Sequence, residues 1–586
     1  MALDLVAISR HYVDRMLREV PGMKALLLDA DTTRSISAVY SQTEIMNAEV
    51  YLVEKLDAAR PDRLPHLQAV CYLRPTRDNV ARLRRELRRP RFGGYHVFFT
   101  NRAEDLRLQD LAEADGEEAV RGVQEFFGDY TALGPDHFSV PAPAPHVLLE
   151  PPDWEFGASA DALARATEAL ASAILSLRRH FAVRHAGRSE LAARLAASLR
   201  HVVAHEEREL FDFGVRGGEG QPLLLILDRR DDPVTPLLTQ WTYEAMLHEA
   251  LGIEDGCVDL ARVAGVKPEF KRAVVTRAAD PFFAKHARAN FGEIGLLVKS
   301  LVDEVAGEQR GARELGSIEE MSGLVDKLGV LTQQQALAYK HVTLMGELSA
   351  AVEARSLMAV SQLEQELACA PPAASAHHDA VLAAVGDAAH APEDWVRLAA
   401  LWCLRYEREG PARADALVAA LRATGRVPAA RLAALRALLD RCGDARRAGD
   451  LFQDRTLSAR FAVLAKQHIK GVENIYTQHS PALVSVVERA ARGKLPVEEY
   501  PFAAGGAAAA DAAPRLILVF VVGGTTFEEA AAVAAINAAA AAGGKAGGGG
   551  GNAGVPPGTR VLLGGTGVHN SRSFLTAFEK VAEAAP

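Results

Sequence analysis

Five consecutive charged residues, Asp228, Arg229, Arg230, Asp231 and Asp232, run directly into Pro233, with Pro236 close behind. Three carboxylates so close together could hold a divalent cation through their oxygens. Two guanidiniums among them could bind a phosphate, or neutralise the acids in a salt-bridged turn. The turn is favoured, because arginines already at hand pair with carboxylates before a cation does. A second set, His201-x-x-x-His205 with Glu209, places two imidazoles one helical turn apart. That is metal-ligand spacing, but no third ligand from another element accompanies it. Surface histidines on a charged helix are therefore expected, and no metal site is assigned. Glycine turns follow two apolar runs, at Gly523-Gly524 and at Gly564-Gly565-Thr566-Gly567. Such turns can cradle phosphate at a helix amino terminus. Neither carries the P-loop lysine or a full G-x-G-x-x-G, so close packing of helix on strand is the simpler purpose and no cofactor is assigned. No Ser-His-Asp, Cys-His or nucleophile-elbow spacing stands out, which leaves no catalytic residue to name.

The charged run must be positioned by what precedes it, the unbroken apolar stretch Leu223 to Leu227. A run of this kind reads as a strand buried on both faces, as in parallel sheets. Proline cannot donate to a ladder, so Pro233 and Pro236 end the strand in a fixed turn. From Leu237 the apolar positions Leu238, Trp241, Ala245, Met246 and Ala250 fall at helical spacing. Asp228, Arg229, Asp232, Pro233 and Trp241 are thus expected at a domain junction. Open sheets bind ligands at the carboxyl ends of strands, which leaves a second reading open. It is an α/β enzyme or nucleotide-binding protein with a site near Asp228 and Gly564, since fold alone does not determine chemistry.

A chain of 586 residues is too long for one core. Strand-like runs at Lys24 to Leu28, Val50 to Val53, Ala69 to Leu73 and Tyr95 to Thr100 alternate with helical stretches. That alternation means βαβ units and a parallel sheet, expected to close near residue 138. Residues 104–140 read as helices and a connection, and the prolines over 141–152 as a linker. Residues 255–470 are almost wholly helix-patterned. Within them, Leu344, Leu348 and Val352 lie four apart and no proline intervenes from Gln334 to Cys369. A single projecting helix of about thirty residues is expected there. Leu516 to Val522 and Val561 to Leu563 are again strands, best placed in the sheet begun at Leu223. The expected fold is α/β plus helical. It comprises an α/β domain over 1–138, a discontinuous α/β domain over 139–245 and 480–586, and a mostly helical insertion over 246–479. The Ala/Gly-rich stretches 503–513 and 538–557 read as loops.

A net charge of −9 argues against a nucleic-acid partner. Arg82, Arg84, Arg85, Arg88, Arg89 and Arg91 cluster, but Leu83 and Leu87 give their helix one apolar face, so a solvated surface is expected. Five scattered cysteines with no paired spacing suit a reducing compartment. The amino terminus does not read as a signal peptide and no apolar run is long enough to span a bilayer. Membranes are therefore expected to be reached only through a partner.

The stretch Asp228-Arg-x-x-Asp-Pro-Val-x-Pro-Leu-Leu238, followed by Trp241-Thr-Tyr-x-Ala-Met246, resembles the signature of the SM (Sec/Munc-type) family. Further segments match in order: LLLDADTTRSISAVYSQTEI, EVYLVEKLD, YLRPTRDNV, YHVFFTN, KHVTLMGELSAAVEARSLMAVSQLEQELAC and GVENIYTQHSPAL. The variant here is most similar to a branch named for vacuolar protein sorting. The resemblance implies a three-domain arch and a non-enzymatic, cytoplasmic and monomeric protein. Such a protein would be peripherally associated with Golgi and endosomal membranes and would regulate vesicle docking and fusion. It further implies as partner a syntaxin-type SNARE of the trans-Golgi or endosome, and beyond it the assembled SNARE complex. The matching groove positions are Asp29, Arg34, Glu54 and Arg60, and a position that is basic in synaptic relatives is Ser41. An outer apolar pocket for the SNARE amino-terminal peptide is implied at Leu111, Ala119, Val123 and Phe127. Where the family often has a proline in a helical hairpin, Gly329 stands, so a bend is expected to survive without proline's rigidity.

Overall fold

The computed structural model describes residues 3–58, 62–140, 157–213, 220–313, 318–447, 451–452, 478–503, 513–542 and 555–584, with only the backbone described over 309–313 and 318–329. Strands β1 (Lys24–Leu28), β2 (Val50–Lys55), β3 (Leu64–Leu73), β4 (Phe92–Phe99) and β5 (Val120–Glu125) form one parallel sheet, in the order β2-β1-β3-β4-β5. Its centre is apolar on both faces because both are covered, as a parallel sheet requires. Leu26, Val70 and Phe98 join a cluster with the helix Leu5–Glu19. Leu27, Cys71, Val97 and Phe99 join another with the helices Arg77–Leu87 and Asp105–Ala114.

Residues 104–140, expected to be helices and a connection, hold one helix and three strands. The edge strand β5 reads VRGVQE, with a glycine and three charged or polar residues, as edges tolerate and interior strands do not. The two strands after it, β6 (Thr131–Gly134) and β7 (His137–Ser139), already belong to the second sheet. The first sheet thus ends before Thr131 rather than near residue 138.

The second sheet continues with β8 (Ala182–His185) and β9 (Leu223–Asp228). An insertion then intervenes, opening on the antiparallel pair β10 (Cys257–Asp259) and β11 (Arg272–Val274) and continuing as helices. The chain returns as β12 (Leu516–Val522) and β13 (Arg560–Gly565), giving the order β6-β7-β13-β12-β9-β8. β12 lies parallel between β9 and β13, with Leu518 opposite both Leu224 and Leu562. The second α/β domain is therefore discontinuous around a mostly helical insertion. Every residue of β9 and β12 is buried. Each such aliphatic side chain contributes about 1.5–3 kcal/mol relative to exposure.

The long helix expected over Gln334 to Cys369 is two helices, Ile318–Ala354 and Leu357–Cys369. Ser356 between them takes a left-handed conformation at φ 47° and ψ 42°. That costs roughly 1–2 kcal/mol for a non-glycine residue. Its neighbour shows what holds it there: Arg355 donates to both oxygens of the buried Asp394, at 2.5 and 3.1 Å. Gly329 lies within the first of these helices rather than in a turn between two. The insertion has its own core around Trp395 and Trp402, which also takes Phe574, Leu575 and Phe578 from the carboxyl-terminal helix Ser571–Ala584.

Gly564 pairs with Phe138 across β13 and β7, and a Cβ on it would lie 2.1 Å from Cζ of that ring. The ring is fully buried and has nowhere to go. Gly564→Val should therefore lower stability by about 1–3 kcal/mol through overpacking. Thermal unfolding and limited proteolysis of the purified variant check this.

Candidate functional site

The charged knot is a salt-bridged junction. Asp228 caps the 3-10 turn Arg229–Asp231; its Oδ1 accepts from Arg230 N at 2.9 Å and its Oδ2 from Ser189 Oγ at 2.5 Å. The same Oδ2 accepts from Arg230 Nε and Nη2 at 2.9 and 2.7 Å. Arg229 turns away from the knot to meet Glu529, with Nη1 and Nη2 each 2.9 Å from a different carboxylate oxygen. Asp232 accepts from Thr235 N, Thr235 Oγ1 and Ala482 N at 3.0, 2.6 and 3.0 Å. Burial works against the Arg229 charge, yet Glu529 and Asp232 raise its pKa. Burial alone would raise Asp232; Arg229 and the Thr235 hydrogen bonds reverse that and hold it below the usual carboxylate range. Four separate pieces of chain, at 189, 228–235, 482 and 524–529, are tied at one point.

The helix expected from Leu237 starts later, at Tyr243, after a 3-10 turn Thr235–Leu237. Pro236 and the extended Leu238 keep the chain out of helix there. Trp241 is buried as expected, but by another route: its Nε1 donates to Ser361 Oγ at 2.9 Å on the helix Leu357–Cys369. Beside it, Arg397 bridges Glu364 and Asp394, at 2.8 Å each, and Glu249 at 3.3 Å. Glu249 in turn accepts from Ser571 N at 2.9 Å, at the start of the carboxyl-terminal helix.

The glycine turns are filled by the protein itself. His569 Nε2 lies 2.7 Å from Gly523 O, and a Cβ on Gly524 would meet the same ring at 2.6 Å. A Cβ on Gly565 would meet Thr525 Cγ2 at 2.7 Å. These glycines serve close packing, the simpler of the two purposes. His201 ends the helix Glu190–His201 and His205 lies on the exposed π-helical turn Val202–Glu206 after it, with Glu206 3.4 Å from His201. Among the described residues, no group of three or more His, Cys, Asp or Glu is placed to hold a metal ion. The arginine-rich helix buries Val80, Leu83 and Leu87, while Arg82 and Arg84 pair with Asp57 and Asp110.

The four groove positions separate. Asp29 is buried as the amino-terminal cap of the helix Ala30–Val39, and its Oδ2 accepts from Arg74 N and Asn79 Nδ2, both at 2.7 Å. Glu54 is buried on β2 and lies 3.3 Å from Arg91. Both carboxylates are therefore structural rather than surface groups. Arg60 lies outside the described residues. Ser41 caps a short helix, Gln42–Asn47. Arg34 alone remains part-exposed, on the wall of a cavity of about 430 Å³ where the first sheet's helix, the second sheet and the insertion meet. Glu244 and Arg277 form an ion pair within that wall, and Phe527 and Val568 add apolar surface.

The four pocket positions also divide. Leu111 and Ala119 are buried in the cluster beneath the helices Arg77–Leu87 and Asp105–Ala114. Val123, opposite Val97 in register and so on that same face, is 43% exposed on edge strand β5, and Leu106, on the helix Asp105–Ala114 that precedes this strand, is also exposed. Phe127 packs against the cluster on the other face of the sheet and cannot share a pocket with them.

Residues 24–577 match the model of the Sec1 family. The chain belongs to the Sec1 family of SM proteins. It is 38% identical to a vacuolar protein sorting-associated protein 45 homolog of Arabidopsis thaliana, over 85% of this chain and 87% of that one. It is 37% identical to the Homo sapiens vacuolar protein sorting-associated protein 45, over 98% and 95%. Among solved structures, it matches the SM protein Vps45 in complex with the Qa SNARE Tlg2 at 36% identity and a TM-score of 0.85, covering 99% of this chain and 98% of that one. The three-domain SM arch read from the sequence is thus the fold of this chain.

Two parts of this SM protein went unread in the sequence. Glu529, the partner of Arg229, lies 300 positions along the chain. Asp255, which holds Arg34, lies 221 away. Local patterning carries no trace of either pairing. The turn around Asp255 did have a signal, the Asp255-Gly256 dipeptide between Glu254 and Cys257.

Two expectations follow from this geometry. Glu529→Ala leaves Arg229 buried without its bidentate partner and should cost on the order of 3–5 kcal/mol, seen as a lower unfolding midpoint. Burial depresses the pKa of His137 and of His569 from 6.5 to about 4. For a histidine held neutral in the fold, the stability is present above 6.5 and lost as pH falls toward 4. The melting temperature should decline over that window, less steeply in His569→Gln.

Proposed function

We propose that this chain is a SNARE-binding regulator of vesicle docking and membrane fusion in trans-Golgi, endosomal and vacuolar traffic. Its partner is a syntaxin-type (Qa) SNARE and, beyond it, the assembled SNARE complex. The observation that carries this is the match over 99% of the chain to an SM protein solved with a Qa SNARE bound. The cavity beside Arg34 gives the partner a mixed polar and apolar wall where the three domains meet. The SNARE amino-terminal peptide is proposed to dock separately, on the apolar strip where Val123 is exposed above Leu111 and Ala119.

The protein acts by binding rather than by catalysis. The strand ends that an α/β enzyme would use are occupied: Asp228 by Ser189 and Arg230, and the glycine turn by His569. Among the described residues no helix is long and apolar enough to cross a membrane. We further propose a cytoplasmic monomer that reaches Golgi and endosomal membranes through its SNARE. Nucleic acid and cofactors have no part in the proposal.

Capture by a panel of syntaxin-type cytosolic regions from the same organism tests it, and micromolar binding of none of them would overturn it. Arg34→Glu should weaken a SNARE shortened at its amino terminus, and wild-type binding should fall as salt rises. Val123→Glu should instead remove affinity for the isolated amino-terminal peptide, whose binding rests on buried apolar area. Val123→Glu should melt at the wild-type temperature, since its side chain is exposed, and Arg34→Glu only slightly lower, since the pairs it breaks with Asp31 and Asp255 are partly exposed. Leu111→Arg is no substitute, because Leu111 is only 4% exposed and the fold itself would suffer.

A further inference from the structure

Two guanidiniums line the cavity at the meeting point of the three domains, and they are held differently. Arg277 is committed: its two terminal nitrogens lie 2.9 and 2.6 Å from the two oxygens of buried Glu244, and Nη1 also donates to Leu133 O at 2.5 Å. Arg34 donates through Nη1 to Asp31 Oδ1 at 2.8 Å, within its own helix. Its Nε donates to Asp255 Oδ1 at 2.5 Å, and Asp255 belongs to the insertion. Both side chains stay in reach of water, Arg34 at 32% exposure and Asp255 at 49%. An ion pair in that setting is weak and exchangeable.

The turn that presents Asp255 does not depend on its charge. Glu254 and Cys257 exchange both backbone hydrogen bonds, each 2.9 Å, around Asp255 and Gly256 at φ 51° and 71°. Two successive positive φ values make this the mirror-image hairpin turn for which Asn-Gly and Asp-Gly are both favoured. The turn is also fixed in place, since Val275 N donates to Gly256 O at 2.8 Å and a Cβ on Gly256 would strike Thr276. An asparagine would therefore serve the turn as well, and the carboxylate is left with Arg34 as its visible purpose.

We infer that Asp255 is an internal stand-in for a carboxylate of the partner. It latches the first domain's helix Ala30–Val39 to the insertion in the free protein and must yield Arg34 when the partner binds. This rests on the SNARE-binding reading above, with Arg34 on the groove. Asp31 stays with Arg34 throughout and keeps it aimed, itself steadied by Arg74 Nη1 at 3.4 Å. The partner that fits presents an acidic side chain on its groove-facing surface. Whatever stabilises the latch weakens partner binding by the same factor.

The test is calorimetry with the captured SNARE cytosolic region, shortened at its amino terminus, at low and moderate salt. Asp255→Asn should tighten binding roughly two- to fivefold, the range an exposed pair allows. Arg34→Glu should weaken it, and in an Arg34→Gln background, where no guanidinium is left to release, Asp255→Asn should tighten binding less than it does in wild type. Asp255→Gly, which also accepts the positive φ, is a second variant should the first melt early. Unchanged or weaker binding by both Asp255 variants, with Arg34→Glu still weakening, overturns the latch and leaves the groove reading standing. An Arg34→Glu protein that folds and binds as wild type overturns the groove reading and the latch together.

Discussion

The buried pair between Arg229 and Glu529 is the constraint on which the rest of the molecule depends. A guanidinium with 2% of its surface exposed persists as a charge only if carboxylates reach it in good geometry. Glu529 supplies that geometry bidentately while its Oε2 also accepts from Thr526 N at 2.8 Å, closing a capping box on the helix Phe527–Ala541. One carboxylate thus sets the start of a helix and the end of β9 together. Asp232 extends the tie to Ala482, where the chain comes back from the insertion. Such a knot is weak support for stability as such, because two charges had to leave water. What it specifies is the angle at which the insertion leaves and re-enters the second sheet.

Apolar packing does the rest, and it crosses domain lines. One cluster runs from Leu26 and Phe98 of the first sheet through Phe138 and Leu170 to Leu224, Phe520 and Leu562 of the second. Another joins Val234, Leu237 and Leu238, just past the knot, to Trp395 and Trp402 of the insertion and to Phe574 and Phe578 of the last helix. With the sheets and the insertion held this way, the cavity wall carrying Arg34 is a product of the whole chain.

How much of this was legible in the sequence depended on the range of each interaction. Doubly buried strands such as β9 and β12 announce themselves as apolar runs, and their neighbours in the sheet follow from the α/β alternation. β5 did not, since an edge strand with Gly122, Arg121 and Gln124 looks like loop. The break at Ser356 was hidden because what holds it, the Arg355–Asp394 pair, is tertiary. At the site, Arg34 lies on a cavity wall, from which its groove role is proposed, whereas Asp29 and Glu54 are held by caps and ion pairs that only the fold reveals. Phe127 was misplaced by one face of a sheet, the error expected where a strand's register is unknown.

The return of β12 to a place beside β9 has a consequence for how the protein comes into being. Leu224 and Leu518 touch in register across about 290 positions of chain, a separation that makes pairing slow and late. During synthesis from the amino terminus, β9 leaves the ribosome as a bare apolar strand with β8 beside it and its other edge open. The core of the insertion likewise waits for Phe574 and Phe578, which follow β13. The nascent chain therefore holds sticky surface it cannot yet cover while the whole insertion is made, which favours escort by holding chaperones. Truncation ahead of the helix Ser571–Ala584 would leave the helical core unsealed.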